Sequence, residues 1–111
     1  MKLPSVAPRR RAQDDIDDAL RHYLDEGGVE LTLRFIDALE TAFAHLRNHP
    51  SSGSPRYATL LDLPGLRTRP LHRFPYLLFY VEIDGCIDVW RMLHDKRDIP
   101  ASLQDDWTPN G

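Results

Sequence analysis

Two runs dense in aromatic and β-branched residues, Tyr76–Ile83 and Cys86–Leu93, are separated only by Asp84-Gly85. Aspartate and glycine suit the positive φ values of a type I′ turn, so the two runs form an antiparallel hairpin. A two-residue turn also fixes register. It sets Ile83 against Cys86, Val81 against Asp88, Phe79 against Trp90 and Leu77 against Met92. One face then carries Tyr76, Leu78, Tyr80, Ile87, Val89, Arg91 and Leu93, and the other Leu77, Phe79, Val81, Ile83, Trp90 and Met92. Both faces are largely apolar. A sheet backed by one helical layer shows water a polar face, so this sheet needs cover on two sides.

The first half of the chain supplies one cover. Ala12, Ile16, Ala19, Leu20, Tyr23 and Leu24 recur at helical spacing from about Arg9, with Asp14, Asp17, Asp18, Arg21 and Asp25 turned outward. Gly27-Gly28 ends that stripe, because glycine takes a left-handed cap without a Cβ penalty. A second stripe of Leu31, Phe35, Leu39, Ala42, Phe43 and Leu46 runs from about Val29 to His49. Pro50 and Ser51-Ser52-Gly53-Ser54-Pro55 stop it. So short a link makes the two helices an antiparallel hairpin. A short strand around Lys2–Val6 precedes them, broken by Pro8, and Leu66–Leu71 reads as a third strand beside the β-hairpin. The other sheet face is left for the C-terminal segment, a second chain or a partner.

At 111 residues the chain fits one domain, 1–111, with 104–111 expected to be a frayed tail. The single cysteine, Cys86, excludes an internal disulfide and suits a reducing compartment. No stretch is apolar enough for a secretory signal or a bilayer span, so the expected location is the cytoplasm, away from membranes. A net charge of −3 argues against a general nucleic-acid binder, and no sequence-specific contact with nucleic acid is expected. The charge is uneven, however. Acids dominate between Asp14 and Glu40, whereas Arg67, Arg69 and Arg73 have no acidic neighbour between Pro64 and Val81. That asymmetry suggests one directed face.

The run Leu63-Pro64-Gly65-Leu66-Arg67, then Arg73-Phe74-Pro75-Tyr76-Leu77-Leu78-Phe79-Tyr80, then Arg91-Met92-Leu93-His94 and Arg97-Asp98 resembles the ParE family of the ParE/RelE toxin superfamily. The resemblance spans nearly the whole chain, from Val6-Ala7-Pro8 to about Leu103. It implies an α+β fold: an N-terminal strand, an antiparallel two-helix hairpin, a three-stranded antiparallel sheet that the first strand joins, and a short C-terminal helical segment. It also implies the toxin of a type II toxin–antitoxin pair. A ParD-like antitoxin encoded alongside would neutralise it, folding a disordered arm onto it in a joint oligomer. For ParE-like members the implied target is DNA gyrase. For RelE-like members it is messenger RNA, cut on the ribosome.

Metal-free RNA cleavage needs His, Glu, Tyr, Lys or Arg gathered at one spot to move protons and steady a phosphorane. RelE-type nucleases resemble this chain in the strand beginning at Tyr76 but carry an arginine where Leu77 stands. They also have a tyrosine or histidine beyond the last strand, where this chain has Asp95-Lys96-Arg97-Asp98-Ile99-Pro100. His94 and Arg97 are the catalytic candidates of that rival reading; alternatively, His94 is an end-of-strand histidine bonded to its neighbours. Leu77 favours the binder, with no catalytic residue and with Arg91, His94 and Arg97 touching the target. Arg67, Arg69 and Arg73, at even spacing on one strand face, are candidate antitoxin contacts or charges guarding an edge. Phe79, Trp90 and Met92 are a candidate antitoxin seat or plain core. His45 and His49 have zinc-like spacing but no third ligand, so neither a metal nor any cofactor is expected. Asp14-Asp15 and Asp17-Asp18 read as a solvated face. A third possibility is a non-toxic relic that keeps antitoxin binding alone, suggested by the acidic balance and the tail Gln104-Asp105-Asp106-Trp107.

Overall fold

Asp84 and Gly85 adopt φ of 51° and 77°, the two positive values of the type I′ turn, in a computed structural model that describes residues 3–104. The expected tail, apart from Gln104, and the first two residues therefore lie outside the described residues. The turn joins β3 (Tyr76–Ile83) to β4 (Cys86–His94). β2 (Arg67–Pro70) pairs antiparallel with β3 on its other side. β1 (Ser5–Pro8) completes a four-stranded sheet of order β1-β4-β3-β2, and it lies parallel to β4. The sheet is thus mixed rather than wholly antiparallel. Pro8 closes β1 instead of breaking it, because an edge position needs no donor from proline. The next amide, Arg9, carries the ladder on by donating to the Val89 carbonyl at 2.8 Å.

The helical run α1 (Arg10–Asn48) is two arms, 10–27 and 29–48. Gly28 interrupts it with φ 75° and ψ −166°, a backbone that L side chains rarely adopt. A straight helix of 39 residues would extend about 58 Å, against a longest molecular dimension of 38 Å. The chain instead doubles back. Tyr23 of the first arm and Phe35 of the second stack with ring centroids 5.1 Å apart. Phe74 and Tyr76 join them edge-on, and burial together with Tyr76 pushes the Tyr23 phenol up to about 12. Both arms pack on one sheet face, where Ala12, Ile16, Phe35 and Leu46 meet Leu78, Tyr80, Ile87 and Val89.

The register follows the turn only as far as Tyr80, which pairs with Val89. Phe79 then pairs with Arg91, so Trp90 is an extra residue on β4, a bulge. Side chains alternate along a strand, and one added residue exchanges the faces beyond it. Met92 therefore joins the α1 side and Leu93 the opposite side, the reverse of the unbulged expectation.

That opposite face is closed by the chain itself. A short helix α2 (Arg56–Leu61), the link 62–66 and α3 (Ile99–Gln104) lie over it. Tyr57, Leu63, Leu66, Ile99 and Leu103 meet Phe79, Val81, Trp90 and Leu93 in a second buried cluster. The sheet is sandwiched between helices, and no second chain is needed to hide it.

Tyr80 ties the segment after α1 to the sheet. Its buried hydroxyl accepts from the Gly53 amide and donates to the Pro50 carbonyl, both at 3.0 Å. A Cβ at position 53 would lie 2.3 Å from that oxygen. Gly53→Ala should therefore break the tie and cost about 1–3 kcal/mol, as overpacking does, read as a lower urea midpoint. An unchanged midpoint would mean that the close approach does not exist.

Candidate functional site

Beyond Val89 the outer edge of β4 has no strand beside it among the described residues, since β1 ends at Pro8. Asp15, in the first arm of α1, takes the place of one. Its Oδ2 accepts the Met92 backbone N–H at 3.0 Å and Arg91 Nε at 2.7 Å, while its Oδ1 accepts Arg91 Nη2 at 2.9 Å. The fork-on-carboxylate geometry is the strong, directional form of ion pair. Arg91 is only 3% exposed and Asp15 11%, so water scarcely weakens it. Asp15 is thus not part of a solvated face. It stands three residues after Ala12 and four before Ala19, and that spacing is the signal that places it along the buried stripe.

Arg91, expected to touch a target, is instead an internal strut. Phe79, Trp90 and Met92 are buried among the chain's own side chains, which removes them as an exposed seat for an antitoxin. The Arg9 guanidinium lies 4.7 Å from the Trp90 ring centroid and pairs with Asp88 at 2.8 Å, closing that side of the indole.

His94 ends β4 beside Tyr76, with ring centroids 5.4 Å apart. Its Nδ1 accepts the Lys96 amide at 3.2 Å, which leaves the ring proton of the neutral form on Nε2. Asp95 Oδ1 lies 3.3 Å from the same nitrogen, a contact that becomes an ion pair only when the ring is protonated. Arg97 follows in the turn that its own amide makes by donating to the His94 carbonyl at 3.0 Å. His94, Arg97 and Tyr76 line one cavity of about 180 Å³, together with Asp15 and Asp18. Two carboxylates therefore share the space with one imidazole and one guanidinium. Asp15 is already paired with Arg91, so Asp18 is the lining carboxylate that a scissile phosphate entering there would meet as like charge. Leu77, standing where the resemblance implies a nuclease arginine, packs against the second cluster.

The expected arginine stripe is split. Arg67 and Arg69 occupy alternate positions of β2, but Arg73 lies past its end in the turn before β3, at φ 67°. Arg67 is half-buried and donates to the Gly53 carbonyl at 2.8 Å, so it braces the link after α1. Arg69 and Arg73 face the second arm of α1 across a groove. Two hollows, of about 310 and 440 Å³, share Ala38, Thr41, His72 and Arg73 and so run together. His45 lines the groove beside Arg69. Burial, then Arg69, then His49 push its imidazole below the usual histidine range. His45 and His49 rings lie 4.9 Å apart, and among the described residues no group of three metal-capable side chains gathers there. Among those residues, too, no helix is long and apolar enough to cross a membrane.

Comparison with known proteins agrees with this architecture. The family model for the ParE toxin of the type II toxin–antitoxin system, parDE, matches residues 6–99. A solved structure described as the chromosomal ParDE TA system from P. aeruginosa superposes with a TM-score of 0.68. It is 23% identical, over 83% of this chain and 96% of that one, a likeness of fold. No curated protein sequence matches.

Proposed function

Because the chain belongs to the ParE toxin family of type II toxin–antitoxin systems, we propose that it acts by occupying DNA gyrase and is restrained by a ParD-like antitoxin. The single observation supporting a binder over a nuclease is the cavity at His94, where the described lining supplies one imidazole, one guanidinium and the Asp18 carboxylate beside the Asp15–Arg91 pair. Cleavage would need several cationic or proton-moving groups free at one place; here Arg91 is already held by Asp15. The contact surface is the exposed turn after β4, with His94 and Arg97 as its anchors. Arginine in particular concentrates binding energy at interfaces.

Gyrase supercoiling should fall away as purified toxin is added in excess, and Arg97→Ala should weaken that inhibition about tenfold, the loss of one charge-assisted contact. Full supercoiling at large toxin excess would remove gyrase as the target. The ribonuclease reading keeps one supporting observation, that Tyr76, His94 and Arg97 line the same cavity. It requires transcripts cut between codon positions on induction and rescue by His94→Ala; intact transcripts in growth-arrested cells exclude it. The antitoxin, encoded in the adjacent frame, should copurify as a mixed oligomer, its arm folding as it docks.

A further inference from the structure

We infer that His94 is the positioning residue of the turn after β4: its neutral ring holds the turn in the form that presents Arg97, and a proton on that ring releases it. The inference rests on the gyrase reading for what the turn grips, and on the turn's own bonds for its chemistry.

The turn runs from His94 to Arg97 and is fastened at both ends. The Arg97 amide donates to the His94 carbonyl at 3.0 Å, and the Asp95 amide donates to the Pro75 carbonyl at 2.9 Å. The amide between them, that of Lys96, donates to His94 Nδ1 at 3.2 Å. Asparagine or aspartate opening a turn makes the same bond, its side chain accepting from the N–H two residues on. Histidine stands in for them only while Nδ1 keeps its lone pair.

Protonation takes that lone pair. Nδ1 becomes a donor facing the Lys96 donor, and Asp95 Oδ1 lies 3.3 Å away to receive it. The bond therefore passes from the Lys96 amide to the Asp95 carboxylate, and the middle of the turn loses its brace. The other charged and titratable groups around the ring supply no substitute. On the first arm of α1, Asp18 lies 3.3 Å from Arg21, and Asp15 is held by Arg91 of β4. Tyr76 of β3 stays neutral, since burial raises its phenol. Asp98, past the turn, accepts from the Ala101 amide. Lys96 and Arg97 bring donors alone. His94 itself is half-exposed, so protons reach it freely. A grip that needs the braced turn needs the neutral ring. It is full at high pH and weakens as pH falls through the histidine range. A histidine that held gyrase by its charge would show the opposite sign.

The first measurement is NMR on the isotope-labelled full chain between about pH 8 and about pH 5, the span in which histidine titrates. The Lys96 amide should shift in step with the His94 ring. Its temperature coefficient, small for a bonded amide, should become large at low pH. In His94→Asn, which keeps an acceptor but does not titrate, the coefficient should stay small throughout; in His94→Ala it should be large throughout. The second measurement is gyrase supercoiling with the same three chains. The parent concentration that halves supercoiling should rise about fivefold from about pH 8 to about pH 6, the worth of one neutral hydrogen bond. That rise is taken relative to His94→Ala, which carries whatever pH dependence gyrase itself brings. His94→Asn should share the flat profile and inhibit better than His94→Ala at both values. A Lys96 amide indifferent to the His94 ring, a grip that tightens as pH falls, or a parent slope equal to that of His94→Ala would each overturn the inference. The two readings fail separately. If gyrase ignores the protein at every pH while the amide follows the ring, the target falls and the proton-controlled turn stands. If all three chains inhibit with one slope, the target stands and the inference falls.

Discussion

Asp15→Ala should unfold this protein more readily than any change on the neighbouring acids. It leaves the Arg91 guanidinium buried without its carboxylate and the Met92 N–H without its acceptor. Breaking a buried pair from one side costs about 3–5 kcal/mol, and for a domain of this size that lowers the melting temperature by on the order of 15 °C. Asp14→Ala, one residue away and exposed, should stay within about 0.5 kcal/mol of the parent. Replacing both partners, Asp15→Leu with Arg91→Met, should recover the part of the loss due to the buried charge, because two apolar groups need no solvation, while the Met92 N–H still lacks its acceptor. Thermal melts of the four proteins decide the matter. Equal melting of Asp15→Ala and Asp14→Ala would deny that Asp15 holds the strand edge.

The second large loss is expected where α3 meets the sheet. Leu103 is fully buried and Ile99 nearly so, against Phe79, Trp90 and Leu93. Truncating either to alanine costs about 2–5 kcal/mol, and both together consume much of the roughly 5–15 kcal/mol that holds a domain folded. The urea midpoint of Ile99→Ala with Leu103→Ala should drop steeply, and an apolar dye should bind the opened face. Ala101→Ser, exposed on the same helix, is the control. A double variant that melts like the control would mean that the far side of the sheet lies open, as the sequence alone allowed.

The strands and helical arms were legible because their signals are local. Period-two apolar runs around Asp84-Gly85 set β3 and the start of β4, and the paired glycines set the reversal in α1 at Gly28. What escaped depends on distant parts of the chain. Nothing in Val89-Trp90-Arg91 marks an extra residue, yet the bulge there trades Met92 for Leu93 across the sheet. α2 is six residues between proline-bearing loops, too short to show a period, and without it the second face looked unclaimed. Asp15 was within reach through its spacing from Ala12, but the three similar acids around it disguised it. Of the site, His94 and Arg97 do line one hollow, and Arg69 and Arg73 do share a groove; Arg91, Phe79, Trp90 and Met92 turned inward.

The unpaired residue at Trp90 makes the parity of β4 a hidden variable. Counting inward from the turn, everything after it is out of step by one, and that offset is what delivers His94 to Tyr76. A homologue that lost the extra residue between Val89 and Arg91 would keep its histidine opposite Tyr76 and every downstream side chain on its present side, because the bulged residue has no partner on β3. Aligning such chains without a gap at the bulge would equate positions that look out on opposite halves of the molecule.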